Sequence, residues 1–442
     1  MKKWVWAAVP AVIIGAYAAT AVYSGSKAEE VLQEGIKKAN IGTEWQFEWA
    51  RYDRGVFRSK AVLDIIFTPG NGEDMYRHSL PVTIVHGPVL LDGTLGFKPA
   101  MFGMKSAIVA REDWPEDVKK LLDDDRVHFE SVFSFGQKAT FDFTVEEGEM
   151  QLSTGNLDLK ELHMQFSFDA DSKEVKGKGS WPGLNMSGMM GDVVVRDWAM
   201  NWDGVQYDAY TGTGTGEFTL AEVKMSQGGS EQFAMNAFKM TSKQAMNADQ
   251  SQLNGELNMS IDSVNAQGQN VVSKLDFFMQ FDKLSAAGIR AMNEFAKDPE
   301  NTEDPMMMLN TVGQQVLEFG PEINARLSAE QVMRQPLNVN AKLTLPPMPN
   351  GFEPTWMQGI LFTMDGKVPL TLIGMALPTD LVALLSQGET DAKGTAFKVE
   401  WREGQLWINA NPYLPGMNAQ QDEQFDPAMM EDYQEECVGE DC

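Results

Sequence analysis

The chain has 442 residues, of which 43% are hydrophobic, and a formal net charge of −27. This length is enough for a large core, and the negative charge excludes nucleic-acid binding through a basic surface. The only two cysteines, Cys437 and Cys442, lie near the C-terminus, so the body is free of thiols, as suits an oxidising compartment. The pair either closes a small disulfide loop or stays as two thiols in a tail.

The N-terminal segment is uncharged over Trp4–Ser26, directly after two lysines. Its apolar part, Trp4–Tyr23, has about the 20 residues that a bilayer-spanning helix needs. We therefore predict a membrane anchor over residues 1–25, with a cytoplasmic N-terminus because the positive charges precede it. A cleaved signal peptide is the alternative, since the small residues of segments 16–18 and 19–21 fit a cleavage site. In both cases, the rest of the chain is exported.

Residues 26–42 are predicted to form a short amphipathic stalk helix after the anchor. Ser26 suits its N-cap, two glutamates follow in its first turn and two lysines lie in its last. Val31, Leu32 and Ile36 supply an apolar stripe at helical spacing.

Alternation with a period of two dominates residues 43–282 and returns over 336–415. Each run places its large apolar side chains on one face of a strand, and turn residues such as Asp203-Gly204 and Gly228-Gly229 separate the runs. The pattern predicts a mainly β fold with a helical insertion (α+β). Its body is expected to be a large antiparallel, curved β-sheet or sheet pair that follows the N-terminal transmembrane helix.

Helical spacing appears in three further places. Short helices are predicted over Pro115–Asp125 and Thr379–Gln387, and a broken helical region over Leu284–Met333, within an insertion at residues 283–335. The insertion is either a packed element or a lid across the sheet. Residues 416–442 are acidic and predicted to be a disordered tail.

Motifs for catalysis or metal binding are absent from the sequence. The four histidines lie in no zinc-binding arrangement, and neither a nucleophile elbow nor a phosphate-binding loop occurs. We therefore expect no catalytic residue, no cofactor and no metal, and predict that the protein is not an enzyme. The 28 methionines either replace leucine in the core or line an adaptable apolar binding surface.

Two short motifs stand about thirty residues apart behind the apolar N-terminus, and their residues are Tyr52, Arg54, Gly55, Phe57, Ser59, His86, Gly87 and Pro88. In order and spacing they resemble the YdgA-like family of bacterial inner-membrane-anchored proteins (domain of unknown function 945). The resemblance implies an inner-membrane protein of single pass, with a periplasmic body and no established catalytic residues. It also favours the uncleaved anchor.

The motif residues have a structural interpretation. Gly55 is expected to adopt a positive φ in a turn between two strands, with Tyr52 and Phe57 packed around it. His86 is expected to bond to the backbone, and Pro88 suits a strand end because it has no backbone donor.

Two functions follow as expectations. The first is a non-enzymatic, periplasmic-facing envelope protein that binds lipid or another hydrophobic ligand on an apolar sheet face. The alternative is an envelope scaffold, or a module that binds a protein partner, with a filled core; an uncharacterised hydrolase ranks third. The membrane is the expected partner of the N-terminal helix, and nucleic acid is not expected. The first function requires an open apolar face, whereas the second requires a filled one.

Overall fold

A computed structural model describes most of the chain. The described residues are 4–39, 45–67, 76–108, 110, 112–122, 126–189, 191–208, 210–297, 305–348, 354–369, 388, 390–391, 394–402 and 404–413. The predicted helix Thr379–Gln387, the tail from residue 416 and both cysteines lie outside these ranges.

The chain begins with one long helix, α1 (Trp4–Ala39). It runs without a break through Ser26, so the predicted stalk segment continues the N-terminal helix. No helix among the described residues combines the length and the apolar character that crossing a membrane requires.

Antiparallel strands make up most of the remaining described chain. The first half contains β1 (Trp45–Asp53), β2 (Arg58–Phe67), β3 (Tyr76–His86), β4 (Phe102–Ala107), β5 (Val127–Phe133), β6 (Lys138–Val145), β7 (Gly148–Leu152), β8 (Gly155–Leu159), β9 (Leu162–Asp169), β10 (Glu174–Gly188) and β11 (Gly191–Gln206). The second half contains β12 (Gly212–Gln227), β13 (Ser230–Met246), β14 (Gln252–Ala266), β15 (Gln269–Ser285), β16 (Glu322–Val332), β17 (Gln335–Thr344), β18 (Leu361–Val368), β19 (Thr390–Asp391), β20 (Gly394–Arg402), β21 (Gln405–Ile408) and β22 (Asn411–Pro412).

These strands form one open sheet rather than a pair of sheets. Successive strands pair from β1 to β6, β6 pairs with β9, and the meander then runs from β9 to β18 and on through β20, β21 and β22. The β7–β8 hairpin adds to the second half of β10, beside β9, and β19 pairs with β20. The prediction of a mainly β fold with a large antiparallel sheet is confirmed.

The two faces of this sheet differ in chemistry. One transverse row of paired residues on neighbouring strands is apolar: Met200, Phe218, Met240, Met259, Phe277, Leu327 and Val339. The adjacent row, one residue along each strand, is polar except for one phenylalanine: Asn201, Glu217, Thr241, Asn258, Phe278, Arg326 and Asn340. Because side chains alternate between faces along a strand, one face is apolar and the other polar.

A line of kinks crosses the long strands. Asp197, Ala237 and Lys274 have φ values of 50°, 51° and 47°, and they lie on every second strand, β11, β13 and β15. Beyond this line, the residues that face the apolar side shift by one position along the strand. Val272 therefore packs in the same apolar cluster as Leu275, three residues away. The kinks therefore let the apolar face continue along the whole length of the strands.

The kink geometry predicts a difference between two exposed alanines that face each other across β12 and β13. Ala237 has a positive φ, whereas Ala221, opposite it in the register, does not. Ala237→Val should lower the free energy of unfolding by about 1–2 kcal/mol more than Ala221→Val, because a β-branched side chain is strained in the left-handed region. Chemical denaturation measures the free energy of unfolding of both variants. Equal losses would show that valine is tolerated at the kink as well as at position 221.

The predicted helical region Leu284–Met333 is only partly helical. It contains α3 (Ala286–Lys297) and α4 (Pro305–Val316), but its last part is strand β16. In β16, Ile323, Ala325, Leu327 and Ala329 alternate with polar residues, and this period of two overrides the helical interpretation.

The two insertion helices lie at one end of the sheet. Helix α3 begins after Ser285, whose hydroxyl accepts a hydrogen bond from the Gly288 amide at 3.2 Å. A Cβ at Gly288 would lie 2.4 Å from the Cα of Val316, so the two helices cross at close range. Arg290 of α3 forms an ion pair of 2.6 Å with Asp208, which lies between β11 and β12. The predicted short helix near Pro115 is observed as α2 (Glu116–Leu122), and a 3-10 helix covers Pro354–Gly359.

Candidate functional site

Helix α1 covers the first strands of the apolar face. Its buried Ala28 and Leu32 form a cluster with Ala61 of β2, Ile84 of β3 and Phe102 of β4. The residues that make this contact lie on one stripe of the helix, because they recur at helical spacing. The C-terminal half of α1 is therefore packed against the sheet.

The first family motif forms the turn between β1 and β2. Gly55 has no positive φ, so that expectation is wrong. A Cβ at Gly55 would instead lie 2.1 Å from the carbonyl oxygen of Arg58, and this close backbone approach explains the glycine. The Gly55 amide lies 3.4 Å from the Ser59 hydroxyl, and Tyr52 packs against the cluster under α1.

His86 of the second motif lies at the centre of the contact with α1. Its ring is fully buried, with Nδ1 3.0 Å from the Val56 carbonyl oxygen and Nε2 3.0 Å from the Ser59 hydroxyl. A carbonyl only accepts, so Nδ1 carries the proton and Nε2 accepts a hydrogen bond from Ser59. The expected backbone bond of His86 is confirmed. Burial lowers the pKa of His86, and the nearby Arg54 acts in the same direction.

Gly25 of α1 lies directly against this ring. A Cβ at Gly25 would be 2.6 Å from both Cε1 and Nδ1 of His86. The helix thus contacts the sheet directly where the two motifs meet.

The remaining motif residues hold the same helix. Phe57 stacks on Tyr17 of α1 with ring centroids 5.7 Å apart. Arg54 donates a hydrogen bond of 3.0 Å to the Val22 carbonyl oxygen and lies 3.9 Å from Glu29. The eight motif residues therefore form one structure, the helix clasp, defined as the β1–β2 turn together with His86-Gly87-Pro88.

Pro88 follows a cis peptide bond and opens a hairpin between β3 and β4. A Cβ at Gly87 would lie 1.8 Å from the Ala100 carbonyl oxygen, so only glycine fits there. The Tyr17 hydroxyl donates a hydrogen bond of 2.8 Å to the Val89 carbonyl oxygen, which ties the hairpin to α1.

A buried carboxylate supports the hairpin. Asp92 forms ion pairs with Arg58 at 3.1 Å and with Lys105 at 2.9 Å. Burial opposes its ionisation, but hydrogen bonds from Thr94 and Lys105 outweigh burial and hold the pKa of Asp92 well below its usual range. The carboxylate therefore stays charged and fixes the hairpin tip beside the clasp.

The Ser59–His86 pair has the hydrogen-bond geometry of an activated nucleophile. Both residues are nevertheless fully buried, beneath Gly25 of α1. Within the described ranges, no group of three or more His, Cys, Asp and Glu residues is arranged to hold a metal ion. The geometry of the clasp is thus that of a packing contact.

Away from α1, the apolar face is open among the described residues. Met200, Phe218, Met240, Met259 and Phe277 are all half-buried, and none belongs to a buried core cluster. A core filled by a second layer would bury such residues completely. The described central part of the apolar face is therefore open rather than filled.

Aromatic rings lie flat on this open face where the facing strand has glycine. A Cβ at Gly179 would lie 2.6 Å from the Trp198 ring, and one at Gly216 would lie 2.7 Å from the Trp202 ring. Beside these rings is a cavity of about 350 Å³ lined almost entirely by apolar atoms, including those of Phe218 and Met240. The absence of a side chain at these glycines thus leaves the space in which the tryptophan rings lie.

The motif residues are visible in the sequence, but their partners on α1 are not. Tyr17 belongs to the apolar run and to a possible cleavage site, and Gly25 to the uncharged run. The one available signal is Gly25 itself, because an interior glycine in a helix is costly and often marks close packing. Arg58, Asp92 and Lys105 carried no local signal, since their pairing depends on the hairpin.

Comparisons of this chain with curated proteins and with solved structures found no match. The family model described as "Bacterial protein of unknown function (DUF945)" matches residues 1–426, nearly the whole chain, and it agrees with the resemblance carried by the two motifs. The chain therefore belongs to the DUF945 family of bacterial proteins.

Proposed function

We propose that this protein is a non-enzymatic envelope protein that binds the acyl chains of a lipid, or a similar hydrophobic ligand, on its open apolar sheet face. The single observation that supports this function most strongly is the uncovered row of methionine and phenylalanine side chains across β11–β15. A contiguous apolar row that no described element covers is the kind of surface that marks a ligand or interaction site.

The shape and chemistry of the face suit an extended chain. The long strands have 15–17 residues, which is about 50 Å at roughly 3.3 Å per residue. The apolar rows run across many strands without an interrupting charge, and methionine side chains adapt to ligands of different shapes. An extended acyl chain has no polar group that would need a partner on this face.

The membrane location is also a proposal. The apolar run at the start of α1, the lysines before it and the absence of thiols from the body support an inner-membrane attachment with the body in the periplasm. The helix clasp would then fix the orientation of the body relative to the membrane segment.

The non-enzymatic part of the proposal rests on the enclosure of the Ser59–His86 pair. A nucleophile must meet its substrate, and this serine lies under a helix that packs against its histidine partner. We assign the pair to the docking of α1 rather than to catalysis.

Two neighbouring substitutions on β13 test ligand binding. Met240 lines the apolar cavity, whereas Thr241 belongs to the polar row on the opposite face. Met240→Arg should remove most of the lipid that co-purifies with the full chain, because a buried guanidinium is incompatible with an acyl chain. Thr241→Arg should retain it. Lipid extraction and mass spectrometry of both purified variants measure the effect.

Two outcomes would contradict the proposal. One is a wild-type protein that carries no amphiphile, and the other is equal lipid content in both variants. The scaffold alternative predicts a different result: a photoreactive residue at Phe218 would crosslink to a protein instead of a lipid.

A further inference from the structure

Exposed apolar side chains gather where α1 leaves the sheet. Val56 and Phe57 of the β1–β2 turn are 47% and 46% exposed, and Leu91 and Phe97 of the β3–β4 hairpin are 51% and 79% exposed. We name these four residues the helix-exit surface. A solvated loop has no need of two large apolar side chains at its tip, so the surface indicates a contact.

The contacts within this region place the four residues around one point of α1. Tyr17 stacks on Phe57 and donates a hydrogen bond to the backbone of the hairpin at Val89. In the hairpin, Leu90 pairs with Lys98 and Asp92 pairs with Gly96. Leu91 and Phe97 therefore face each other across it.

The direction of α1 over the sheet follows from two contacts along the helix. Gly25 contacts His86 near the end of β3, and Leu32 packs with Ala61, further along the strands. Read towards its N-terminus, α1 thus runs to the end of the sheet that carries the helix-exit surface. Residues 4–16 continue the helix beyond Tyr17, for about 20 Å at roughly 1.5 Å per residue.

The local charge opposes the charge of the whole chain. Four basic residues, Arg54, Arg58, Lys98 and Lys105, belong to the turn, the hairpin and the strands beside them. Arg54 pairs with Glu29, and Arg58 and Lys105 both pair with Asp92. A chain with a net charge of −27 is repelled by anionic lipid. Basic side chains beside the exposed apolar residues offset this repulsion locally, which an approach to a phospholipid surface requires.

We infer that the helix-exit surface seats in the interface of a phospholipid bilayer, with Leu91 and Phe97 inserted among the headgroups beside α1. This inference rests on the proposed membrane attachment and extends it to the folded body. The helix clasp joins α1 to the turn and the hairpin, so the helix-exit surface and α1 form one rigid unit. The end of the sheet near His86 then faces the membrane, and the opposite end points away.

A pair of fluorescent labels tests this orientation. Met189 is 90% exposed and lies in the β10–β11 turn, at the other end of the strands, so it is a matched apolar control. In the full chain with Cys437→Ser and Cys442→Ser, Phe97→Cys or Met189→Cys is labelled with an environment-sensitive dye. The protein is reconstituted into vesicles of phosphatidylethanolamine and phosphatidylglycerol that contain a spin-labelled quencher lipid.

The label at position 97 should shift to the blue and be quenched several-fold more than the label at position 189. Equal quenching of the two labels in vesicle-bound protein would overturn the proposed seat while leaving the attachment intact. A full chain that does not float with the vesicles would overturn both the seat and the attachment. Ligand binding on the apolar face is measured separately with Met240→Arg, so its failure is distinguishable from either.

Discussion

Gly25→Ala is expected to destabilise the protein, although alanine favours helices over glycine by about 1 kcal/mol. The new Cβ would lie 2.6 Å from two atoms of the His86 ring. Hydrogen bonds to Val56 and Ser59 hold that ring on both sides, so it has little room to move. Overpacking of this kind costs about 1–3 kcal/mol, and we expect a net loss in the free energy of unfolding together with faster amide exchange in α1.

Gly35→Ala provides the matched control on the same helix. A Cβ at Gly35 meets no atom within 4 Å, so this variant gains only the helix propensity, up to about 1 kcal/mol. Denaturation and hydrogen exchange of the two variants should therefore give changes of opposite sign. If both variants are stabilised, Gly25 does not press on His86 and the helix clasp is looser than described.

Acidification is expected to release α1 through the protonation of His86. In the folded protein, burial lowers the pKa of His86 below its ordinary value of about 6.5. The unfolded state therefore binds a proton at a pH where the folded state does not. The stability that comes from the neutral ring is present above about pH 6.5 and is lost as the pH falls below it, by at most about 1.4 kcal/mol per pH unit.

The contribution of His86 is separated from those of the other histidines by His86→Gln. This variant is less stable overall, but its unfolding free energy should fall less steeply than that of the wild type between about pH 6.5 and 5. The other three histidines are common to both proteins, so the comparison isolates His86. Parallel slopes for the two proteins would show that His86 does not titrate on unfolding.

The elements that sequence predicted well are those with strong local periodicity. The alternation of Trp198, Met200 and Trp202 is visible in the sequence and corresponds to one face of β11. The predicted helical region extends too far, into β16, because the alternation after residue 322 directly follows the methionine-rich helix α4. Local patterns determine the type of an element better than its ends.

The motif residues were identified, and their role depended on contacts that sequence does not show. His86 meets Gly25 across more than half of the first hundred residues, and Asp92 meets Lys105 only because the hairpin closes between them. Such contacts are set by the register of distant strands. The expected positive φ at Gly55 failed for this reason: its constraint is a neighbouring carbonyl, not a turn type.

By itself, the sequence determined that the protein is a β-rich member of this family with one apolar sheet face, because hydrophobic alternation is a local property that survives without knowledge of the fold. Only the tertiary structure decided that the strands form a single sheet, that α1 covers only its first strands, and that the described central rows beyond it are open. The physical reason is that burial depends on which distant elements meet. The small residues of α1, Ala21, Ser24 and Ala28, suit lipid or protein equally well in sequence, and their complete burial comes from the fold.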